Sequence, residues 1–474
     1  PWRQVQPNFP PARIGHILSS YFGGRAEVHI RRSIVPVIHC DFLSMYPTVC
    51  TLMGLWKFVI AQGMAEHDET AEIRNFVESF ELNNLQEPAI WTNFAILVKV
   101  LPEDDIFPVR AKYEDEHDAP IGDEGETVSA TIGLNHLTSP EPLWFTLADV
   151  LASKILRGKT PKILEAIRFK PLQPQERLKS IEFGSGAIDP VHGDFYRDLI
   201  NRRRAVKSRM VSYSPEAQGP LESEQLALKI LANATSYGIF VELNVSELDK
   251  KQTFSCYDVS DKSFKILTNK VERTGKYFHP LLGTLITGAA RLMLAIAEKQ
   301  VLDEGLNWAF CDTDSLAIAN VAKFDRKTFT DKVEKIASWF IPLNPYDEKG
   351  SILQLEKTNF PENAKGNLAK LNPTECLAIS AKRYVLFNRG DKGEPIIRKA
   401  SAHGLGHLLA PYSEPPKERR ERIERIGVEL WEEDYWKAII GAADSDEPDV
   451  VITSGLTGFD QPAASRYAAT KPTL

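Results

Sequence analysis

The feature that most constrains the fold is a pair of aspartates between two short apolar runs. The runs 306–310 and 316–318 flank Asp312, Thr313 and Asp314. This pattern predicts a β-hairpin with both acids at its tip. Aspartate is also a favoured turn residue, because its side chain bonds its own backbone. By itself, therefore, the pair indicates only a turn.

A third acid far upstream changes that interpretation. The apolar run 34–39 is followed by Cys40 and Asp41, so Asp41 also lies at a strand end. Three converging carboxylates would repel one another, by about 4 kcal/mol per pair at a separation of about 4 Å. Mg²⁺ prefers oxygen ligands and usually binds through one or two carboxylates plus substrate phosphates. The three acids therefore predict a site for a divalent cation.

Composition and charge narrow the class of protein. At 474 residues the chain is expected to hold roughly two to four subdomains. Its 43% apolar and 26% charged residues are typical of a soluble globular protein. We expect no membrane span, because no apolar run approaches the required length of about 20 residues. The net charge of −7 implies that any nucleic-acid binding relies on local basic patches.

The cysteines and the first residues indicate the protein's setting. Five cysteines are scattered without a Cys-x-x-Cys pair, which predicts reduced thiols, no zinc site and a cytoplasmic location, nucleoid-associated if the protein is cellular. The sequence opens with Pro-Trp-Arg, without Met or a signal-peptide pattern, which indicates a fragment or a processed product.

Two neighbouring helices carry cationic and amide side chains at helical spacing. Residues 194–210 predict a helix with Arg203 and Lys207 on one face, and residues 223–236 predict a second with Lys229 and Asn233 on one face. A solvated basic face is the simpler explanation for one such helix. As an αα-hairpin, the two are suited to grip a triphosphate through charge-assisted hydrogen bonds.

Other stretches predict structure without chemistry. We expect a strand over 94–101, an acidic loop over 102–130, a helix over Leu147–Arg157, hairpins over 241–278, a buried helix over 281–302 and a charged helix over 419–441. A helix is expected from Pro47 to about Trp56. His403 and His407 have the spacing of a helical metal site, but Gly404 and Gly406 favour a loop there.

Six motifs, in order, resemble those of family B DNA polymerases over roughly residues 21 to 407. They are Tyr21-x-Gly23-Gly24, Asp41-Phe-Leu-Ser-Met-Tyr-Pro-Thr, Arg203-x-x-x-Lys207, the stretch from Lys229 to Gly238, Asp312-Thr-Asp-Ser and Lys382-Arg383-Tyr384. Each is a modest signal alone, and together they are a specific one.

The resemblance implies a template-directed DNA polymerase that joins deoxynucleotides to a primer 3′-hydroxyl. Asp41 and Asp314 would bind two Mg²⁺ ions, which Mn²⁺ can replace, with Asp312 as a lesser ligand and the Phe42 carbonyl completing one shell. Tyr46 would be the steric gate, whose ring clashes with a ribonucleotide 2′-hydroxyl. Catalysis would depend on positioning and charge neutralisation.

The resemblance also implies the binding residues and partners. The nucleotide dNTP would be bound by Phe42, Ser44, Met45, Tyr46, Arg203, Lys207, Lys229, Asn233 and Tyr237. Primer-template DNA would be bound by Tyr21, Gly23, Gly24, Lys382, Arg383 and Tyr384. The family's proofreading exonuclease precedes the Tyr-x-Gly-Gly loop, and only 20 residues do so here, so we expect that domain to be missing from this chain.

The implied fold class is α+β with right-hand polymerase architecture: an antiparallel-sheet palm, helical-hairpin fingers and a partial helical thumb. The predicted domains are a leading segment with the Tyr-x-Gly-Gly loop (1–30), a first palm segment (31–59), an insertion of unknown role that is partly palm (60–190), fingers (191–240), a second palm segment (241–400) and an incomplete thumb (401–474).

Two departures from the family pattern leave alternatives open. The fingers motif is one residue longer than in the family, so either a π-bulge absorbs the extra residue or the helix ends near Ala234 and Tyr237 loses its role. Ala381 replaces the first lysine of the primer-binding element. A catalytically inactive polymerase-like scaffold that binds nucleic acid is the alternative function. A nucleotidyl cyclase would share the two-metal site but would not explain Tyr46.

Overall fold

A computed structural model of the chain describes residues 11–109, 133–183, 186–210, 212–213, 219–257, 262–360, 370–403 and 430–445. The strands are β1 (Ala26–Val28), β2 (Val35–Phe42), β3 (Met64–Asp68), β4 (Ile96–Leu101), β5 (Glu103–Val109), β6 (Gly133–Thr138), β7 (Leu143–Thr146), β8 (Lys162–Pro171), β9 (Ile181–Phe183), β10 (Gly186–Ile188), β11 (Leu243–Tyr257), β12 (Ser263–Thr274), β13 (Asn307–Asp312), β14 (Ser315–Ala319), β15 (Leu353–Leu355), β16 (Thr374–Ser380), β17 (Arg383–Arg389) and β18 (Pro395–Ala402).

Helices are interspersed among these strands along the chain. They are α1 (Pro11–Ser19), α2 (Met45–Leu52), α3 (Trp56–Ile60), α4 (Thr70–Ser79), α5 (Pro88–Trp91), α6 (Leu147–Arg157), α7 (Phe195–Met210), α8 (Gly219–Thr235), α9 (Pro280–Asp303), α10 (Arg326–Trp339) and α11 (Leu430–Ala443). Short 3₁₀ turns lie at Leu82–Gln86, Gly238–Phe240, Ile341–Leu343 and Lys357–Asn359. The mixture of helices with antiparallel sheets confirms the predicted α+β class.

The chain divides into two compact units, each assembled from three separate stretches. The first unit comprises Pro1–Arg25, Phe42–Lys299 and Ile336–Leu353, and the second comprises Ala26–Asp41, Gln300–Lys335 and Gln354–Leu474. The domain boundaries derived from the sequence stay a prediction.

An eight-stranded sheet dominates the second unit. Its strands follow the order β1-β13-β14-β2-β16-β17-β18, and β15 pairs with β2. Each pair of neighbours along that path is antiparallel. The central strands β2 and β14 are near-continuous apolar runs, as expected for strands covered on both faces.

Two separate apolar clusters cover the faces of this sheet. One includes Val37, Phe310, Ala317 and Tyr384. The other includes Val385 and Phe387 with Trp436 and Ile440 of α11. Side chains alternate across a strand, so β17 sends Tyr384 to the first cluster and Val385 to the second. The sheet is therefore a buried, rigid platform for the residues at its strand ends.

The first unit holds the remaining sheets and most of the helices. A four-stranded antiparallel sheet has the order β3-β8-β4-β7, and β5–β6, β9–β10 and β11–β12 form two-stranded ribbons. Helix α9 is apolar and buried from Pro280 to Ala297, as the sequence predicted, whereas its C-terminal Leu302 is exposed. Helices α7 and α8 pack against each other.

Several predicted elements differ from the structure. The helix expected from Pro47 to Trp56 is two helices, α2 and α3, because the chain turns at Gly54 with a φ of +63°. The acidic stretch expected to be a loop begins with β5, which pairs with β6. Of the charged helix predicted over 419–441, residues 419–429 lie outside the described residues, as does His407, and the described part is α11, Leu430–Ala443.

The prediction that no apolar run approaches a membrane span is wrong for α9. Among the described residues, this 24-residue helix alone is long and apolar enough by length and composition, but its apolar window is entirely buried inside the protein. Core helices of soluble proteins meet the same criterion, so the finding is weak evidence for a span.

Candidate active site

The structure brings the three predicted acids together in the second unit. Strand β2 ends beside the β13–β14 hairpin, where Asp41 pairs with Ser315, and Asp312 pairs with Ser315 across the hairpin. All three line one cavity of about 450 Å³. Asp41 and Asp314 are remote in sequence, but the pairing of β2 with β14 places them at the same end of two adjacent strands.

The electrostatics show that these carboxylates are crowded and partly desolvated. Burial raises the pKa of Asp41 to about 8, and the charges of Asp314 and Glu356 add to the rise. The pKa of Asp314 is also raised, first by burial and then by Asp312, while Lys399 opposes the shift. The cavity therefore holds negative charge that a cation would stabilise.

Glu356 is an acid in this cavity that the sequence analysis missed. It follows β15, and its N–H donates to the His39 carbonyl over 2.9 Å. Asn359 bonds both the N–H and the carbonyl of His39, which fixes this turn beside β2. The signal was available, since Glu356 ends an apolar run in the same way as Asp41.

Two lysines face the acids. Lys382 Nζ lies 2.9 Å from an Asp312 carboxylate oxygen, and the Tyr384 hydroxyl donates to the other Asp312 oxygen over 3.5 Å. Lys399 of β18 lines the same cavity. No sequence signal singled it out, because a lysine in a strand is ordinary. With four acids and two lysines, the lining stays acidic.

The backbone is strained at two of these positions. Thr313 has a φ of +65° and Lys382 a φ of +59°. Side chains rarely adopt this region, and a β-branched residue there is a clear outlier. At the hairpin tip, the N–H of Asp314 donates to the Asp312 carbonyl across Thr313 over 2.7 Å. Such strain persists where the surroundings hold it, and it concentrates at functional sites.

In the first unit, the structure groups three predicted tyrosines. The rings of Tyr46 and Tyr237 stack with centroids 4.9 Å apart. The hydroxyls of Tyr237 and Tyr21 share a short hydrogen bond. Burial raises the pKa of the Tyr21 hydroxyl well above its usual range. We call these three residues the tyrosine cluster.

The longer fingers motif is accommodated by ending the helix. Helix α8 stops at Thr235, and Tyr237 has a φ of −154°, outside the helix. The π-bulge alternative is therefore wrong. Tyr237 nevertheless stacks on Tyr46, so the end of the helix places its ring in the cluster.

The structure distinguishes three consecutive arginines of α7. Arg202 donates to the Ala187 carbonyl, and Arg204 pairs with Glu348 over 3.2 Å. Arg203 is half-buried, its Nε has no partner among the described residues, and burial lowers its pKa. A partly desolvated guanidinium with an unsatisfied N–H donor is suited to an anionic ligand.

The remaining residues predicted to bind the nucleotide differ in exposure and backbone conformation. Lys207 on α7, and Lys229 and Asn233 on α8, are exposed. Phe42 and Met45 are buried, and Ser44 precedes α2 with a φ of +45°.

The Tyr-x-Gly-Gly loop and the primer-binding element are held through backbone contacts. Gly23 has a φ of +64°, which glycine adopts without strain, and its carbonyl accepts a bond from Arg291. Gly24 follows in the same loop. Arg383 donates to the His403 carbonyl over 3.0 Å, so His403 contributes a backbone contact beyond β18.

Comparisons with known proteins assign no family. No protein-family model and no curated protein matches the chain. Solved structures of Phi29 DNA polymerase are similar at 12% identity: an orthorhombic crystal form (TM-score 0.41), a ternary complex with primer-template DNA and incoming nucleotide substrates (0.40) and a complex with single-stranded DNA (0.40). The matches cover 89–90% of this chain, which spans only 58–60% of those chains. Similarity at this level carries no conclusion about activity.

Proposed function

We propose that the protein is a template-directed DNA polymerase that adds deoxynucleotides to a primer 3′-hydroxyl. The observation that carries the proposal is the convergence of Asp41, near the end of β2, and Asp314, at the tip of the neighbouring β13–β14 hairpin, in a cavity where burial and nearby carboxylates raise their pKa values. A protein that only scaffolds nucleic acid has no physical need for this arrangement.

The carboxylates fit magnesium held jointly with a substrate. Among the described residues, no three His, Cys, Asp or Glu side chains are arranged to hold a metal by themselves. Mg²⁺ commonly needs only one or two carboxylates, because substrate phosphates complete its shell. Asp41 and Asp314 would be those ligands, and Asp312, already paired with Lys382, would contribute less. When bound, two such ions would stabilise the attacking and leaving oxygens.

The chain's own side chains would position the reactants. The primer hydroxyl attacks the α-phosphate and pyrophosphate leaves, so negative charge grows on phosphate oxygens. Arg203, whose Nε has no hydrogen-bond partner among the described residues, would bind phosphate together with Lys207, Lys229 and Asn233. Lys382 would contact the primer strand, and the ring of Tyr46 would exclude ribose. Preorganised charges of this kind contribute strongly to phosphoryl transfer.

Primer extension with Mg²⁺ and dNTPs tests the proposal. We expect extension by the wild type and a loss of about 10³-fold or more for Asp314→Ala, because one carboxylate of the acidic pair is gone. Asp331→Ala, which removes an exposed aspartate of α10, should extend normally.

Two outcomes would contradict the proposal. Unchanged extension by Asp314→Ala would exclude the two-carboxylate mechanism. A folded wild type that binds primer-template DNA without extending it would support the inactive scaffold instead.

A further inference from the structure

Helix α6, in the segment 60–190 that the sequence left without a role, carries an ion pair buried at both ends. Arg291 Nε and Nη2 lie 2.8 and 2.9 Å from the two carboxylate oxygens of Asp149. The exposed fractions of these side chains are 1% and 0%. The Thr146 hydroxyl also donates to Asp149 over 2.7 Å. Both partners are thus held in one geometry, and removing either would leave a buried charge without compensation.

The same arginine holds the Tyr-x-Gly-Gly loop. Its third nitrogen, Nη1, donates to the Gly23 carbonyl. Its guanidinium also lies 5.8 Å from the ring centre of Phe22, which stacks on Phe145 of β7 with centroids 5.7 Å apart. Segment 60–190 therefore contacts the loop directly through Phe145 and indirectly through Asp149 and Arg291.

This loop carries Tyr21, which leads to the tyrosine cluster. The Tyr21 hydroxyl bonds that of Tyr237, and Tyr237 stacks on Tyr46. A continuous series of contacts thus runs from Asp149 to the ring that would discriminate deoxyribose from ribose.

We propose that Asp149 is a positioning residue for Tyr46, acting through Arg291 and the Tyr21 loop. Segment 60–190 is then part of the scaffold that sets sugar selectivity. The inference rests on the proposed function for its effect on selectivity, while the mechanical link can be tested by itself. The competing explanation is that the ion pair only stabilises the first unit.

Hydrogen exchange tests the link without any need for activity. We compare two variants, Asp149→Asn and Arg291→Lys. The lysine of Arg291→Lys keeps a positive charge opposite Asp149 but lacks the planar guanidinium that binds both carboxylate oxygens. Amides of 20–24 and 236–240 should exchange about tenfold faster in both variants. Glu69→Gln is the matched control: Glu69 pairs with Arg168 in the same segment, and neither residue is one of the contacts that lead from Asp149 to Tyr46. Unchanged exchange in a folded Arg291→Lys protein would overturn the inference, even if Asp149→Asn does not fold.

Sugar selectivity separates positioning from simple stability. We measure the ratio of kcat/KM for dNTP over that for the matching ribonucleotide. It should fall about tenfold in Arg291→Lys and Asp149→Asn, in the same direction as in Tyr46→Ala, and stay unchanged in Glu69→Gln. A lower kcat with an unchanged ratio would mean less folded protein and would overturn positioning. Absence of extension by the wild type would instead count against the proposed function, leaving hydrogen exchange to decide the link.

Discussion

At the scale of a single residue, the fold buries the Asp41 carboxyl although burial disfavours its charged form. The pKa of its carboxyl is about 8 in the folded protein against an ordinary 3.8, chiefly because it is buried. The folded state therefore binds a proton that the unfolded chain releases. The stabilising contribution of Asp41 is fully present below about pH 4 and is lost as the pH rises through 8.

Removing that charge should stabilise the metal-free protein at high pH. In EDTA at pH 8.5, Asp41→Asn is expected to raise the free energy of unfolding by about 1 kcal/mol, which for a chain of 474 residues raises the thermal midpoint by about 1 °C. The gain should vanish at pH 4.5, where the wild-type carboxyl is protonated in the folded state. Melting curves at the two pH values measure it, with Asp331→Asn as an exposed control. An equal shift at both pH values would mean that the charge of Asp41 is not its cause.

At the scale of elements, sequence patterns correctly predicted the helices and hairpins whose structure is determined by neighbouring residues. The two apolar runs that flank Asp312 and Asp314 located the β13–β14 hairpin, and the helix predicted over Leu147–Arg157 is α6 with the same bounds, followed by Gly158 with a φ of +71°. Strand β5 was missed because its stretch is acidic and contains Pro108, which suggests a loop. Its pairing with β6, across 110–132, depends on residues that no local pattern includes.

The contact between α9 and the start of α6 gives an element-scale prediction. A Cβ on Gly288 would lie 2.3 Å from Thr146 Oγ1, which cannot move freely because it bonds Asp149. Gly288→Ala should therefore destabilise the protein by about 1–3 kcal/mol, although alanine normally favours a helix. Thermal or denaturant unfolding measures the change.

Gly219→Ala, at the first residue of α8, is the control, because no atom lies within 4 Å of its added Cβ. Equal stability of Gly288→Ala and the wild type would show that the two elements can separate at little energetic cost.

At the scale of the whole molecule, sequence order conceals which residues belong together. Each unit is assembled from three stretches, and all three stretches of the second unit contribute to its cavity: Asp41 from the first, Asp314 from the second, and Glu356 and Lys399 from the third. Asp41 and Asp314 were predicted because each lies next to an apolar run. Glu356 also follows such a run, so it could have been predicted in the same way. Lys399 was not, since its proximity to the carboxylates follows from the order β2-β16-β17-β18 in the sheet.

The net charge of the chain leads to a prediction about the salt dependence of DNA binding. At −7, the molecule as a whole repels DNA, so affinity must come from a few local cations whose contacts release counter-ions. In binding assays across a KCl series, Lys382→Ala should reduce the slope of log affinity against log salt by about 1, because one phosphate contact is lost. Lys327→Ala, an exposed lysine of α10, should leave the slope unchanged. Equal slopes for Lys382→Ala and the wild type would mean that Lys382 does not contact phosphate. Its role would then be limited to its ion pair with Asp312.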